Sequence, residues 1–218
     1  MKRISSTDRN RPIKGDTMTR AGIVGADGKM GRTLISLIAE SDEFELAVAV
    51  EQSGSAAIGR DAGLNAGVAE LGVSITDDLA RDIRAADVVI DFTIAQATVA
   101  NLEVCATTGT PMVIATTGLS PAEQDRLHQI GESQPIVFAS NYSIGVNATF
   151  RLVAEAARIF GDGVDIEIVE SHHRHKVDAP SGTAISLGEF AANALGRDLA
   201  EVEVHGRRGQ TGARDQTA

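Results

Sequence analysis

The sequence predicts an α/β protein whose amino-terminal part is a doubly wound parallel sheet, followed by a smaller α+β region. Three observations support this fold class. Short apolar runs alternate with helical patterns up to about residue 140. The first apolar run leads directly into a glycine-rich turn, and polar residues follow successive apolar runs at the strand ends where ligands bind in such sheets.

The first βαβ unit combines a strand, a glycine-rich turn, a helix, a second strand and an acid. Residues 21–24 predict the strand, and the turn at residues 25–31 has three glycines in a G-x-x-G-x-x-G spacing. Residues 44–50 predict the second strand, which ends at Glu51. The apolar side of the intervening helix is expected to consist of Met30, Leu34, Ile35, Leu37 and Ile38.

This order of elements is typical of a dinucleotide-binding unit. The glycines allow a tight turn and a close approach of the backbone to a pyrophosphate, and an acid in the position of Glu51 accepts hydrogen bonds from ribose hydroxyls. Gln52 stands where an arginine could bind a 2′-phosphate, which favours NADH over NADPH or tolerance of both. A structural βαβ unit without a cofactor is the alternative.

The chain then continues the alternation. Residues 52–69 predict a loop or a short helix. Further helices are predicted at 77–86, 95–107 and 121–132, the last capped by Ser120, and further strands at 87–93, 111–115 and 136–139. Polar groups follow the strands at Glu51 and at residues 91–93, 116–118 and 140–142. Because parallel strands end at a common edge of a sheet, we expect a ligand crevice there.

Residues 167–183, EIVESHHRHKVDAPSGT, carry the strongest candidate for a chemical site. They begin as a predicted strand and contain three of the five histidines of the chain together with Arg174 and Lys176. They lead into a helix predicted at 184–195, which Asp178 or Ser181 would cap. Loop cations beside a helix amino terminus predict an anion site with acid and base capacity. Adventitious metal binding and a solvated surface loop are the alternatives.

The remaining patterns complete the domain division. Residues 147–160 predict a helix, residues 164–170 and 201–205 predict strands, and a Gly/Arg-rich loop follows from residue 206. We therefore expect a disordered tail at 1–19, a dinucleotide-binding domain at 20–140, and an incomplete substrate-binding and tetramerisation domain with a mixed sheet at 141–218.

The composition of the chain limits the classes of molecule that it can bind. The 218 residues are 43% hydrophobic with a net charge of −10, which argues against nucleic acid or a membrane surface as a partner. No run of apolar residues is long enough to predict a membrane span. The single cysteine, Cys105, excludes an intrachain disulfide and favours a cytoplasmic location. An anionic small-molecule substrate would therefore need a local positive pocket, such as the one at residues 172–176.

These motifs together resemble the 4-hydroxy-tetrahydrodipicolinate reductase (dihydrodipicolinate reductase) family. The most specific is ESHHRHKVDAPSGTA at residues 170–184, and VGADGKMGR, DFT, TTG and SNYSIGVN occur in the family's order. The resemblance runs from about residue 20 to the end. It implies NAD(P)H-dependent reduction of 4-hydroxy-tetrahydrodipicolinate to tetrahydrodipicolinate, with release of water, in diaminopimelate and lysine biosynthesis.

The resemblance also implies residue roles. His172 would be the proton donor or acceptor and Lys176 the proton donor, while His173, Gly182 and Thr183 would hold the substrate carboxylates. No metal is expected. NADH or NADPH would be bound at the pyrophosphate and ribose by Gly25, Ala26, Asp27, Gly28, Lys29, Met30 and Glu51, and at the nicotinamide by Ala115, Thr116, Thr117, Gly118, Ala139, Ser140, Asn141 and Tyr142.

The chain departs from the family pattern in three places. Gln52 stands where many relatives carry a basic residue, and Ala115 stands where a glycine is usual. Family members continue beyond the R-x-G-x-T-G segment, here residues 208–212, into further strands and a helix. The chain is therefore expected to be carboxyl-terminally incomplete, to bind the cofactor but act as a weak or inactive reductase, and to form the family's homotetramer poorly. The alternative function is a truncated, non-catalytic nucleotide-binding module.

Overall fold

The computed structural model describes residues 18–172, 174 and 179–206. Within this part of the chain, one parallel sheet has the strand order β3-β2-β1-β4-β5-β6. Its strands are β1 (Thr19–Val24), β2 (Phe44–Val50), β3 (Ile75–Thr76), β4 (Val88–Asp91), β5 (Met112–Ile114) and β6 (Ile136–Phe138). The order reverses between β1 and β4, which confirms the doubly wound prediction. Only β3, two residues long, was not anticipated.

The helices follow the predicted alternation. They are α1 (Lys29–Ala39), α2 (Ala62–Ala66), α3 (Leu79–Asp82), α4 (Ala95–Thr108), α5 (Pro121–Gly131), α6 (Ile144–Phe160), α7 (Gly182–Ala194) and α8 (Leu199–Val202). The predicted caps also form. Ser120 and Glu123 make a reciprocal capping box at the start of α5, and the Ser181 hydroxyl accepts from the Ala184 amide at the start of α7, whereas the other predicted cap, Asp178, lies outside the described residues.

Two apolar layers cover the faces of the sheet. On one face, Val24 and Val89 join a cluster that extends through Ile83 and Leu102. On the other, Ile23 packs with a cluster that includes Ile35 of α1. Neighbouring residues of β1 thus enter opposite layers, as the alternation of side chains along a strand requires.

Helix α1 buries a narrower face than the sequence predicted. Gly31, Ile35 and Ile38 are buried, whereas Met30 and Leu37 are exposed. The expected apolar side was too wide because the buried residues follow a single line along the helix at intervals of three and four residues. The glycine in this line has a further role in the site.

Beyond β6, the described residues form helices and irregular segments. Helix α7 packs on α6, where the rings of Phe150 and Phe190 stack with centroids 5.2 Å apart. The side chains of Leu199 and Ile168 lie over Gly188, which brings α8 and the segment before the histidines onto α7. The boundary near residue 140 between two domains stays a prediction.

The two strands predicted in this second part were wrong. Residues 165–172 have no regular structure, and Val169 is 92% exposed. A strand needs a second strand to pair with its backbone N–H and C=O groups, and no described strand pairs with these residues. Residues 201–205 also form no strand, because the Asp198 carboxylate accepts from the Ala200 amide and starts α8, which runs to Val202. The expected mixed sheet is therefore not formed among the residues that the structure describes.

The predicted tail and terminal loop fall largely outside the described residues. This applies to residues 1–17 and 207–218. In the part of the chain that is described, no helix is long and apolar enough to cross a membrane.

Burial makes Cys105 an unreactive thiol. The residue is fully buried in the core, and burial, followed by the nearby Asp91 charge, raises the pKa of its thiol to about 12. Because the thiolate is the reactive form, we expect no reaction with a colorimetric disulfide reagent at neutral pH until the chain is unfolded. A Ser53→Cys variant, with a second thiol on an exposed turn, should react at once with one equivalent. Prompt labelling of two would contradict the buried position.

Candidate active site

The carboxyl ends of the strands lie level at one edge of the sheet. Val24 of β1 pairs with Val50 of β2 on one side and with Asp91 of β4 on the other. Asp91 in turn pairs with Ile114 of β5, and Ile114 pairs with Phe138 of β6. The residues that follow these strands therefore begin at a common level. This register brings together the predicted segments that start at residues 25, 51, 115 and 139.

The glycine turn after β1 is held tightly against α1. A Cβ on Gly31 would lie 2.1 Å from the Gly25 carbonyl oxygen, so only glycine fits at this point of the helix. Gly25 itself has a φ of 74°, and Gly28 precedes α1 without a side-chain cap. The amides of the first turn of α1 therefore have neither a capping side chain nor an intrahelical acceptor, which suits a pyrophosphate oxygen.

The carboxylate of Glu51 is fixed beside this turn. One oxygen accepts from the Asp27 amide at 2.9 Å and the other from the Gln52 amide at 2.9 Å. Asp27 is in turn oriented by the Asn65 side-chain amide, at 2.9 Å. A carboxylate oxygen can accept more than one hydrogen bond, so Glu51 keeps acceptor capacity for ribose hydroxyls. Asn65 was not anticipated, because nothing in its local sequence links it to Asp27.

Helix α7 begins on top of the loops that follow β5 and β6. A Cβ on Gly182 would lie 2.8 Å from Cγ2 of Thr117 and 3.6 Å from Cβ of Ser140, so the first turn is in close contact with both loops. The Asn141 side-chain amide donates to the Thr183 hydroxyl at 3.3 Å. The structure thus brings the residues expected to bind substrate next to those expected to line the nicotinamide.

A second hydroxyl contact reinforces this junction. The hydroxyl oxygens of Ser140 and Ser186 are 2.8 Å apart, although the two residues are 46 positions apart in sequence. The Tyr142 hydroxyl lies 3.0 Å from the Ile114 carbonyl oxygen and 2.9 Å from that of Val137, so its hydrogen bonds within the protein. Burial raises the pKa of Tyr142, which makes the phenol a poor acid at neutral pH.

Glu170 joins the histidine segment to the start of α7. Its Oε1 atom accepts from the Ser181 amide at 2.9 Å, and its Oε2 atom is 3.6 Å from Nδ1 of His172. His172 is exposed to solvent. A carboxylate beside one ring nitrogen can hold the imidazole in one orientation, with the other nitrogen directed elsewhere. Sequence reasoning missed this role, although a glutamate two residues before the catalytic candidate was a usable signal.

The other basic candidates lie outside the described residues. His173 and Lys176 both belong to this group, as do His175 and Asp178. The described site therefore consists of the glycine turn with Glu51, the loops after β5 and β6, and the junction of Glu170 and His172 with α7.

Comparison with known proteins places this site in a family. A family model described as "Dihydrodipicolinate reductase, N-terminus" matches residues 19–142, and one described as "Dihydrodipicolinate reductase, C-terminus" matches residues 145–218. Together these matches include the glycine turn, both strand-end loops, the histidine segment and α7.

Individual proteins of the same family are similar to this chain. The chain is 54% identical over 198 residues to the 4-hydroxy-tetrahydrodipicolinate reductase of Alkalilimnicola ehrlichii, covering 91% of this chain and 74% of that protein. It is 49% identical over 197 residues to the protein of the same name from Acinetobacter baumannii, covering 90% and 72%. The dipicolinate-bound dihydrodipicolinate reductase from Paenisporosarcina sp. TG-14 shares the fold, with a TM-score of 0.64, 23% identity, and coverage of 92% of this chain and 76% of that one.

The glycine turn gives a direct test of the cofactor side of the site. A Gly31→Ala substitution puts a methyl group against the Gly25 carbonyl and must displace the turn. We expect the dissociation constant for NADH, measured by calorimetry, to rise about tenfold or more. Gly131→Ala is the matched control, because the nearest atom to its Cβ is 3.9 Å away. Equal NADH binding by both variants would contradict a pyrophosphate site at this turn.

Proposed function

The chain belongs to the dihydrodipicolinate reductase family, and from that premise we propose how its residues divide the work of the reaction. The enzyme reduces 4-hydroxy-tetrahydrodipicolinate to tetrahydrodipicolinate with release of water, using NADH or NADPH, on the route to diaminopimelate and lysine. When bound, the nicotinamide supplies a hydride to the substrate ring. The protein must therefore hold two ligands together and deliver a proton.

The main support for placing substrate and nicotinamide side by side is that the first turn of α7 packs on the loops that follow β5 and β6. Gly182 is in close contact with Thr117 and Ser140, and Thr183 accepts a hydrogen bond from Asn141. A substrate at the start of α7 would thus lie against the loops proposed to line the nicotinamide. Such proximity is what hydride transfer requires, because the reacting atoms must be held near contact distance.

The cofactor is proposed to lie along the level edge of the sheet. Gly25–Met30 would bind the pyrophosphate, and Glu51 would accept from the ribose hydroxyls. The support is the uncapped first turn of α1 and the carboxylate held by two backbone amides. Residues 115–118 and 139–142 would line the nicotinamide end. Because Ala26 is buried and its amide donates to the Val50 carbonyl, we assign it to shaping the turn.

The substrate carboxylates are proposed to meet the first turn of α7 and His173. A helix leaves its first amides without intrahelical acceptors, and in α7 these belong to Gly182 and Thr183. Since the Thr183 hydroxyl oxygen accepts from Asn141, its hydrogen is left to donate to a carboxylate. The macrodipole of this 13-residue helix also favours a negative charge at this end.

Proton transfer is proposed for His172 and Lys176. The support at His172 is its exposed position and the Glu170 carboxylate beside Nδ1. Imidazole can donate or accept a proton near neutral pH, and an ammonium group can donate one to charge that develops on the substrate. Glu170 would act through its neighbours, since it contacts both the imidazole and the amide of Ser181.

Location and assembly are proposed as well. A cytoplasmic location agrees with a sole cysteine kept as a buried thiol. The chain is proposed to form the family's homotetramer poorly, and the large apolar side chains of Leu152, Ile159 and Phe160, each 60% exposed or more, are a surface available for such contacts. Sedimentation velocity of the purified chain would measure its state of assembly.

The reductase function is tested by a coupled assay on His172→Ala. Substrate would be generated in place by the upstream synthase from pyruvate and aspartate semialdehyde, and loss of NADH or NADPH absorbance would be followed. We expect kcat to fall by about 10²-fold or more, because general acid–base catalysis is lost. His205→Ala is the matched control, since His205 is also exposed and lies 3.3 Å from a glutamate, Glu203.

The outcomes of this assay separate two functions. Activity that survives His172→Ala as well as it survives His205→Ala would refute the proposed proton role. Absence of synthase-dependent oxidation in the unsubstituted chain, with NADH still bound by calorimetry, would favour a nucleotide-binding module instead.

Cofactor preference is proposed to depend on Gln52. This exposed side chain follows Glu51 directly and brings no positive charge to a 2′-phosphate. We expect Gln52→Arg to raise the ratio of kcat/KM for NADPH to that for NADH by about tenfold, since a guanidinium pairs well with phosphate. Gln52→Glu should lower the same ratio by repulsion. Movement of both variants in one direction would show that this position does not select the cofactor.

A further inference from the structure

The carboxylate of Asp91 is buried at the edge of the sheet where the proposed cofactor crevice lies. The residue is 0% exposed and ends β4. Its Oδ1 atom accepts from the Thr93 amide at 2.7 Å, the Thr93 hydroxyl at 2.6 Å and the Thr116 hydroxyl at 3.2 Å. Its Oδ2 atom accepts from the Asn101 side-chain amide at 3.1 Å. A buried carboxylate is costly unless it is hydrogen-bonded in this way, so the network needs an explanation.

Thr98 extends the network between the two threonines. Its hydroxyl donates to the Thr116 hydroxyl at 2.8 Å and lies 3.2 Å from that of Thr93. Because the carboxylate accepts from Thr93 and Thr116, all three hydroxyl hydrogens are directed within the cluster. Asp91 therefore orients the Thr93 and Thr116 hydroxyls directly, and that of Thr98 through Thr116.

The network reaches both halves of the crevice. On one side, Cγ2 of Thr93 would lie 2.8 Å from a Cβ on Gly25, so this methyl group occupies the space beside the glycine turn. On the other side, Thr116 begins the Thr-Thr-Gly loop on which Gly182 of α7 rests through Thr117. Asp91 pairs with β1 and β5 and stands between these two halves.

We propose that Asp91 is a positioning residue for the dinucleotide. By holding Thr93 against the glycine turn and Thr116 at the nicotinamide end, it keeps both halves of the crevice in the arrangement that binds the cofactor. Binding then requires little reordering of either loop, which lowers the free-energy cost of association. The inference rests on the proposed function for the identity of the ligand.

The hydrogen bond between Asp91 and Asn101 allows an exchange test. Asp91→Asn keeps the shape of the side chain but removes the charge that strengthens three hydrogen bonds to Oδ1, and its new amide meets the Asn101 amide unless Asn101 turns to present its oxygen. The double variant Asp91→Asn with Asn101→Asp reverses the direction of that bond and restores a donor–acceptor pair. Asp87→Asn is the control, because Asp87 precedes the same strand at its other end and pairs with Arg20 on the surface.

We expect Asp91→Asn to raise the calorimetric dissociation constant for NADH about tenfold or more and to lower kcat with it. The double variant should return to within about threefold of the unsubstituted chain, and Asp87→Asn should stay within about twofold. A merely structural role would lower the melting temperature of Asp91→Asn without changing the NADH affinity of the folded protein. That result, measured well below the melting temperature, would overturn the proposal.

A further variant covers the case in which Asp91→Asn does not fold. Thr116→Val removes the hydrogen bonds of the Thr116 hydroxyl with Asp91 and Thr98 and changes the shape of the side chain little. We expect it to raise the NADH dissociation constant about threefold. Unchanged affinity in this variant would also overturn the proposal. If the unsubstituted chain binds NADH without synthase-dependent oxidation, the reductase function fails, whereas the comparison of binding constants still decides the role of Asp91.

Discussion

The parallel register of the sheet is the constraint on which the rest of the site depends. Val24, Val50, Asp91 and Ile114 are aligned, so the chain leaves neighbouring strands at one level. Parallel strands require helical crossovers, and these place every strand-end loop at the same edge. The glycine turn, Glu51 and the polar loops are adjacent for that reason, although Gly25 and Tyr142 at their extremes are 117 positions apart in the chain.

Glycines then determine how closely helices α1 and α7 approach the loops at this edge of the sheet. Gly31 allows the first turn of α1 to contact the turn that precedes it, and Gly182 allows α7 to rest on Thr117. At both positions a helix amino terminus comes close to the crevice, one at its cofactor side and one at its proposed substrate side. Two positive helix ends facing one crevice suit a dinucleotide and a dicarboxylate bound side by side.

Much of the fold followed from local pattern. The alternation of apolar runs and helical segments predicted every strand of the sheet except β3, which has only two residues and offers no periodicity. The predicted caps at Ser120 and Ser181 formed, because capping depends on neighbours in sequence. The strands predicted at residues 164–170 and 201–205 did not form. A strand depends on a partner, and the pattern of one segment contains no information about its neighbour.

The sequence by itself determined the chemical groups of this protein: the glycine spacing, the acid after β2, and the histidines between residues 172 and 175. The tertiary structure alone decided which groups meet. Asp91 contacts Thr116 across 25 positions, Asn141 contacts Thr183 across 42, and Ser140 contacts Ser186 across 46. Such contacts arise from strand order and helix packing, which act at distances in sequence where local propensity has no influence.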